Sequence, residues 1–453
     1  MQPPSFESTK KMASFISATH YGDLPREVVS RTKGCLLDWI GSAYAGKGSP
    51  TDTIVFPLVR EMGGRKVAAL VGSKDSAPPV VAALYNGTIS AVMEIDDVHE
   101  EAGIHAGIGV IPAALATAEY AGASGRDLIT SLVIGYDITV RMARAAGPSH
   151  YQFWHSTGTC NAFGAAAAAG KLLHLDPHKM TMALGLSGTQ ASGFWESLNR
   201  EATMAKHLHS GKAASNGVFS ALLAGAGFRG SESIIEGEKG FLAASSEATE
   251  QDKMKLTDGF GEPFLIMRNF FKKYACCRAC FEGIEGIHQI LRAHHVSHRE
   301  IEKINVTMKP MRTWMVGNEN PRNPYEAKFS LPFCMALMAL HGEAGLYQFN
   351  EENLHDPALR EFMEKIKIHS DPDIVPKTRL EVVCKDRSVF AAEPLCQSLN
   401  LDEARDKFIK NSDPLLRKKQ IDNILSSIER LEAMDKITEL TRVLNTRTRR
   451  SIG

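Results

Sequence analysis

The richest chemistry in the sequence lies in one short segment, where Glu94, Asp96, Asp97, His99, Glu100, Glu101 and His105 crowd together between Asn86-Gly87 and a run of further glycines. Such a mixture is poor helix material and reads as a loop that carries function. An imidazole titrates near neutral pH and can take and return a proton, and a neighbouring carboxylate that accepts its second ring proton fixes the tautomer. Asp96 and Asp97 are placed to do this for His105. The plain alternative is a solvated acidic turn. Zinc is disfavoured because His99 and His105 are six apart, do not share a helical face, and no H-E-x-x-H pattern is present. The stretch Gly103 to Gly109 is neither a Walker loop nor preceded by a buried strand, so a nucleotide site has little support.

Three further groups carry usable side chains. His155 stands in Trp154-His155-Ser156-Thr157-Gly158-Thr159, just before an alanine-rich helix whose free N–H groups could seat an anion; a hydrogen-bonded surface histidine is the simpler reading. Lys206, His207, His209 and Lys212 form a local positive patch suited to a carboxylate, or else a solvated basic helix face. Lys272, Lys273 and Tyr274 precede Cys276, Cys277 and Cys280. Cys277 and Cys280 make one CxxC, but thiolate metal sites need four ligands and the other cysteines show no matching spacing, so buried inert thiols are expected. The residue spacing therefore predicts no metal site.

These groups sit on recognisable elements. From about residue 24 to 260 the apolar period is helical: Asp23-Leu24-Pro25 is a start signal, Val28, Cys35, Leu36, Trp39, Ile40 and Ala43 make one face, and Gly46 ends it. The small residues from Asn161 to Leu173 suit close helix packing. Between about 265 and 397 alternation appears, in Ile304-Val306-Met308, Ile366-Ile368 and Leu380-Val382-Cys384, with helical patterns at Ile284, Ile287, Leu291 and at Phe329, Phe333, Leu337, Leu340. After Cys396 the pattern is helical again, with Ser412-Asp413-Pro414 as a start signal and Ile421, Leu425, Ile428 and Leu431 as its face. The prediction is a mainly α protein: a large all-helical domain from residues 1–264 with 398–453, and a smaller α+β lid domain over 265–397.

Length and charge bound the function. The chain has 453 residues, enough for two cores, and its 52 Lys plus Arg match its 52 Asp plus Glu. That balance argues against nucleic acid or an anionic membrane as partner, so any anion site must be local. No secretory signal is evident in MQPPSFESTKKMASF, no apolar run reaches the ~20 residues that span a bilayer, and eight scattered cysteines do not form a disulfide framework. A cytoplasmic protein is expected.

Taken in order, several blocks give the chain a family likeness: Leu37-Asp38-Trp39-Ile40-Gly41, Ala82-Ala83-Leu84-Tyr85-Asn86-Gly87, Asp96-Asp97 with His105, Lys206 to Gly211, Lys272-Lys273-Tyr274 and Glu326-Ala327-Lys328-Phe329-Ser330. With them the chain resembles the MmgE/PrpD family of 2-methylcitrate dehydratases, cis-aconitate decarboxylases and iminodisuccinate epimerases. The resemblance implies a helical domain with an α+β lid, an active-site cleft between them, a homodimer, and no metal or organic cofactor. It places the cleft residues at Glu94, His105, His155, Lys206 and Lys272. Glu94 replaces the aspartate of the decarboxylases, Val98 a common threonine, Ala106 and Ala275 common prolines, and Phe281 a histidine found in many relatives.

The expected chemistry is removal of a proton next to a carboxylate of a small polycarboxylate. Lys206 and Lys272 would meet the charge that develops, and His105 or His155 would move the proton, with Asp97 assisting. Glu94, Asp96, His209, Lys273 and Tyr274 would help to bind substrate. Because His99, Glu100 and Glu101 offer additional proton donors, the sequence favours dehydration of a 2-methylcitrate-like hydroxy acid over decarboxylation or epimerisation. A carboxylate-binding helical scaffold without turnover is the rival class.

Overall fold

The computed structural model describes residues 7–199, 202–375 and 377–449. The start of the stretch read for a leader lies outside these residues. The apolar stripe beginning at Val28 becomes the helix Arg26–Ala45. Pro25 precedes it, where a fixed φ and a missing N–H cost nothing, and Gly46 closes it by donating its N–H to the Ser42 carbonyl. At the centre stands Ser156–Leu172, whose alanines 165 to 169 are wholly buried. Small side chains there let Gly125–Tyr151 and Ala205–Gly225 pack closely on either side, and Pro79–Ser90 and Gly107–Ala121 complete the bundle.

The C-terminal helices Leu401–Ser412 and Lys418–Glu429 pack back against Arg26–Ala45. Here the sequence reading needs correction: Ser412 ends a helix and does not start one. The helix that carries Ile421, Leu425 and Ile428 starts at Lys418, where the Arg417 N–H donates to Gln420 Oε1 at 2.7 Å; the helix before it opens on a capping box of its own, in which the Asn400 side chain accepts from the N–H groups of Asp402 and Glu403 while Glu403 accepts from the Asn400 N–H. Leu431 falls in a 3-10 turn after Lys418–Glu429, although it is fully buried.

The three predicted strands and a fourth that was not predicted, Val389–Ala392, form one four-stranded sheet in the order Ile366–Ser370, Ile301–Met308, Thr378–Cys384, Val389–Ala392. The first pair is parallel and the others antiparallel. Ile304 lies opposite both Ile366 and Val382, and Val306 opposite Ile368 and Leu380, so the alternating apolar residues share one face. Helix Phe281–Ala293 packs on that sheet, with Ile290, not the half-buried Leu291, completing its buried stripe. Phe329 precedes the second predicted helix, Leu331–His341.

Two apolar cores result, and the acid-rich loop belongs to both. Val92, Met93, Ile95 and Val98 pack with the sheet and its helices, whereas Ala102, Ile104 and Ala106 pack with the helical bundle. The loop is thereby fixed at the junction. No helix among the described residues is long and apolar enough to cross a membrane.

The helix that carries Lys206 is set by a backbone crossing. A Cβ on Gly87 would sit 2.8 Å from the Gly211 Cα, and one on Gly211 would collide with the Leu84 carbonyl and the Thr88 hydroxyl. Gly211→Ala should therefore lower stability by about 1–3 kcal/mol through overpacking, read as a lower urea midpoint at unchanged slope; an unchanged midpoint would show that the crossing has room to spare.

Candidate active site

Glu94 is the pivot of the loop. It has φ 54°, a left-handed conformation that costs a non-glycine residue free energy and tends to persist where surrounding contacts demand it. Its carboxylate is buried between two lysines from different parts of the chain. Lys206 Nζ, on the first turn of Ala205–Gly225, lies 2.5 Å from Glu94 Oε1. Lys272 Nζ, fully buried, donates to the Glu94 carbonyl at 2.9 Å and lies 3.4 Å from Oε2. Burial alone would raise the Glu94 pKa; the two ammonium groups outweigh it and hold the carboxyl down at about 2. Burial likewise pulls on Lys272, but Asp96 and Glu94 prevail and keep its ammonium form favoured.

Asp96 lies between Lys272, whose Nζ is 3.9 Å from Oδ1, and His105. The His105 Nδ1 is 2.7 Å from Asp96 Oδ2 and 2.9 Å from the Asp97 carbonyl. A carboxylate and a carbonyl can only accept, so Nδ1 carries the proton and Nε2 is left with its lone pair. Despite burial, His105 and Lys272 keep the Asp96 carboxyl well below its usual range. The backbone of His105 is fixed as well: its N–H donates to Thr157 Oγ1 at 3.2 Å, and its carbonyl accepts from Asn161 Nδ2 at 2.8 Å. The central helix thus positions this histidine from its first two turns.

The other sequence candidates separate into two sets. His155 caps the same helix and shares a 3.0 Å hydrogen bond between its Nδ1 and that of His209, with the Trp195 ring tilted against it, centroids 4.5 Å apart. Burial lowers both imidazoles, His209 to about 4, so the pair is neutral at neutral pH. Asp97 turns away from this group. It accepts from Tyr136 Oη at 2.7 Å, from the Gly107 N–H at 3.2 Å and from Asn269 Nδ2. Burial and then the Asp38 carboxylate push it up to about 7. Lys273 and Tyr274 also point elsewhere, both to Glu285 Oε1, at 2.8 and 2.7 Å.

Of the additional proton donors expected on the loop, Glu100 and Glu101 are paired, while His99 accepts from the Ala102 N–H on Nδ1 and keeps a buried Nε2 without a partner. His99 is buried, which pulls its imidazole down to about 4. Glu100 lies 2.8 Å from Arg278 and 3.4 Å from Lys377, and Glu101 pairs with Arg144 and Arg268. Phe281 packs edge-on against Phe270 and Tyr274, an apolar contact with no proton to give.

Some groups were not singled out from sequence. A cavity of about 380 Å³ beside Met93 is lined by Thr51, His207, Tyr325, Lys328 and Phe349. His207 Nδ1 is 3.0 Å from Thr51 Oγ1, but its Nε2 and the Tyr325 hydroxyl are buried without a partner. Buried polar atoms are normally satisfied, so two orphans on one cavity call for a ligand or ordered water. Lys328 Nζ donates to the Ala275 carbonyl at 3.0 Å and lies over the Phe349 ring, leaving further N–H capacity. Burial lowers its pKa to about 8. Outside the cavity, Lys407 Nζ donates to the Ile95 carbonyl and to Asp38, both at 2.6 Å, and so ties the loop to the C-terminal helix. Lys328 and His207 did stand inside quoted blocks; nothing local in the sequence marks Tyr325 or Lys407.

Comparison with known proteins agrees with this architecture. The MmgE/PrpD N-terminal domain matches residues 10–253, and the MmgE/PrpD C-terminal domain matches residues 274–433. Among curated proteins, the cis-aconitate decarboxylase of Aspergillus terreus is 24% identical over 95% of this chain and 95% of its own length. The cis-aconitate decarboxylase of Homo sapiens is 25% identical, over 96% and 94%. A cis-aconitate decarboxylase-like protein of Aspergillus oryzae is 24% identical over 98% of both. With both domains matched in order across most of its length, the chain belongs to the MmgE/PrpD family.

Proposed function

We propose that this protein is a lyase that decarboxylates a small unsaturated tricarboxylate of the cis-aconitate kind, using side chains alone. The observation that carries this reading is the junction of a buried acid and lysine array with a cavity holding unsatisfied polar groups. Lys206 and Lys272 are already paired with Glu94 and Asp96, so these four charges sum to about zero before substrate arrives. A tricarboxylate needs more, and Lys328 and the Tyr325 hydroxyl supply donors in the cavity, beside the unpartnered His207 Nε2.

In the proposed reaction the C–C bond to one carboxylate breaks and its electron pair passes into the carbon skeleton. Carbon dioxide leaves, and one proton arrives at carbon. Lys206 and Lys272 stabilise the charge that develops. His105 takes up a proton from solvent on Nε2 while its Nδ1–H stays on the Asp97 carbonyl, and delivers that proton to carbon; the Asp96 carboxylate beside it steadies the imidazolium. Asp97 acts as a positioning residue, since its three donors tie the loop to Gly125–Tyr151 and to Asn269. His155 and His209, held neutral, suit hydrogen bonding to substrate better than proton transfer.

Dehydration of a citrate-like hydroxy acid is the second reading. It needs an acid beside a departing hydroxyl, and the pairing of Glu100 and Glu101 with arginines removes the support that the loop lent it. The orphan Tyr325 hydroxyl keeps it in view. The relatives named as cis-aconitate decarboxylases favour the first reading.

The deciding experiment offers cis-aconitate, citrate, methylcitrate and an imino-dicarboxylate to the protein in deuterated water, followed by NMR. Decarboxylation predicts carbon dioxide release from cis-aconitate with one deuterium in the product. Water loss from a hydroxy acid with cis-aconitate untouched would transfer the assignment to dehydration, and deuterium wash-in without elimination to epimerisation. Binding without turnover of any acid would leave the scaffold reading.

The cavity makes a separate prediction. Lys328→Met removes a charge-assisted contact of about 1.5–3 kcal/mol, so KM for the tricarboxylate should rise roughly ten- to a hundredfold. The effect on kcat should be smaller, with cooperative thermal unfolding showing that the variant is folded. An unchanged KM would remove Lys328 from the binding site.

A further inference from the structure

The sequence offers Cys277 and Cys280 as a pair, but the fold groups different thiols. Cys276, Cys280 and Cys334 are fully buried, and one sulfur from each lies within 4.8 Å of the others. Cys276 and Cys280 come from the turn leading into Phe281–Ala293, and Cys334 from the first turns of Leu331–His341. Cys277 lies toward Glu94 and Lys272 instead, its backbone N–H bonded to the Lys328 carbonyl at 2.9 Å. The catalytic scheme uses none of the three grouped thiols.

We propose that Cys276, Cys280 and Cys334 form a three-coordinate thiolate site for a soft monovalent d10 ion, copper(I). Thiolates select soft ions, and the group holds three ligands among the described residues, one short of the set that structural zinc takes. Binding replaces three S–H bonds by three S–Cu bonds and releases three protons, with no change in oxidation state. The resulting complex carries two negative charges. Lys272 and Lys328 both act electrostatically on Cys276 in the sense that favours its thiolate. Because all three sulfurs are buried, the ion enters as the chain folds. Once bound, it ties the segment carrying Lys272 to the helix that follows Lys328, fixing two lysines of the candidate site relative to each other.

The test uses the full chain purified under reducing conditions, without chelators, from cells grown with added copper. The expected result is about one copper per chain and an X-ray absorption spectrum of copper(I) with three sulfur neighbours. Cys334→Ser and Cys280→Ser should purify without copper, and Cys277→Ser should retain it, with thermal unfolding used to confirm that each variant is folded. A copper-free wild type, a spectrum dominated by nitrogen or oxygen donors, or copper retained by folded Cys334→Ser would each overturn the proposal. If a serine variant does not fold, the wild-type stoichiometry and coordination number decide.

Discussion

The structure depends on one buried carboxylate, that of Glu94, held between Lys206 and Lys272. Removing one member of a buried ion pair costs about 3–5 kcal/mol because it leaves the other charge without compensation. The three residues come from a loop, from the start of a bundle helix and from the segment leading into the sheet domain, so the requirement that they meet constrains all three elements at once. The left-handed backbone at Glu94 fits this picture, since the lysines demand a geometry that the local chain would not choose. A site built this way exists before substrate binds, and preorganised charge is what stabilises a developing anion without further rearrangement.

The neighbouring acids divide the remaining work by direction. The Asp96 carboxylate lies against His105, whose Nδ1 is held by the Asp97 carbonyl; the Asp97 carboxylate faces Tyr136, Gly107 and Asn269 and secures the loop; the Ile95 carbonyl is held by Lys407 from the C-terminal helix. Consecutive residues thus point to different partners, and the loop, long on polar groups, is as firmly held as a core element. The functional consequence is that the charge array stands balanced, while the adjoining cavity retains donors without partners. Polycarboxylate chemistry is best served by that combination of fixed charge and spare hydrogen-bonding capacity.

The parts of this arrangement legible in the sequence are those with a local signal. The apolar period from Val28 to Ala43 and the alternation through Ile304, Val306 and Met308 each depend on burial of one face, and both elements formed where they were expected. The density of acids and histidines from Glu94 to His105 marked the loop. What could not be read is direction: nothing local distinguishes Asp96, which meets an imidazole, from Asp97, which meets a tyrosine, or Lys272, which is buried, from Lys273, which reaches Glu285. Contacts between distant segments were equally silent, among them Tyr325 with His207, Lys407 with Ile95, and Cys334 with Cys276 and Cys280. The start signal misread at Ser412 shows the same limit, since Ser412 closes one helix and the next begins only at Lys418, behind an arginine that carries no local start signal.

The account stands on the coupling between Glu94 and Lys206, and a double-mutant cycle measures it directly. Stability of the wild type, Glu94→Gln, Lys206→Met and the double variant would be compared by urea unfolding. A buried, mutually compensating pair predicts that each single change is costly and that the double variant recovers much of the loss, with a coupling energy of about 2 kcal/mol or more. Additive single costs, within about 0.5 kcal/mol, would contradict it and leave Glu94 and Lys206 as neighbours without a shared role.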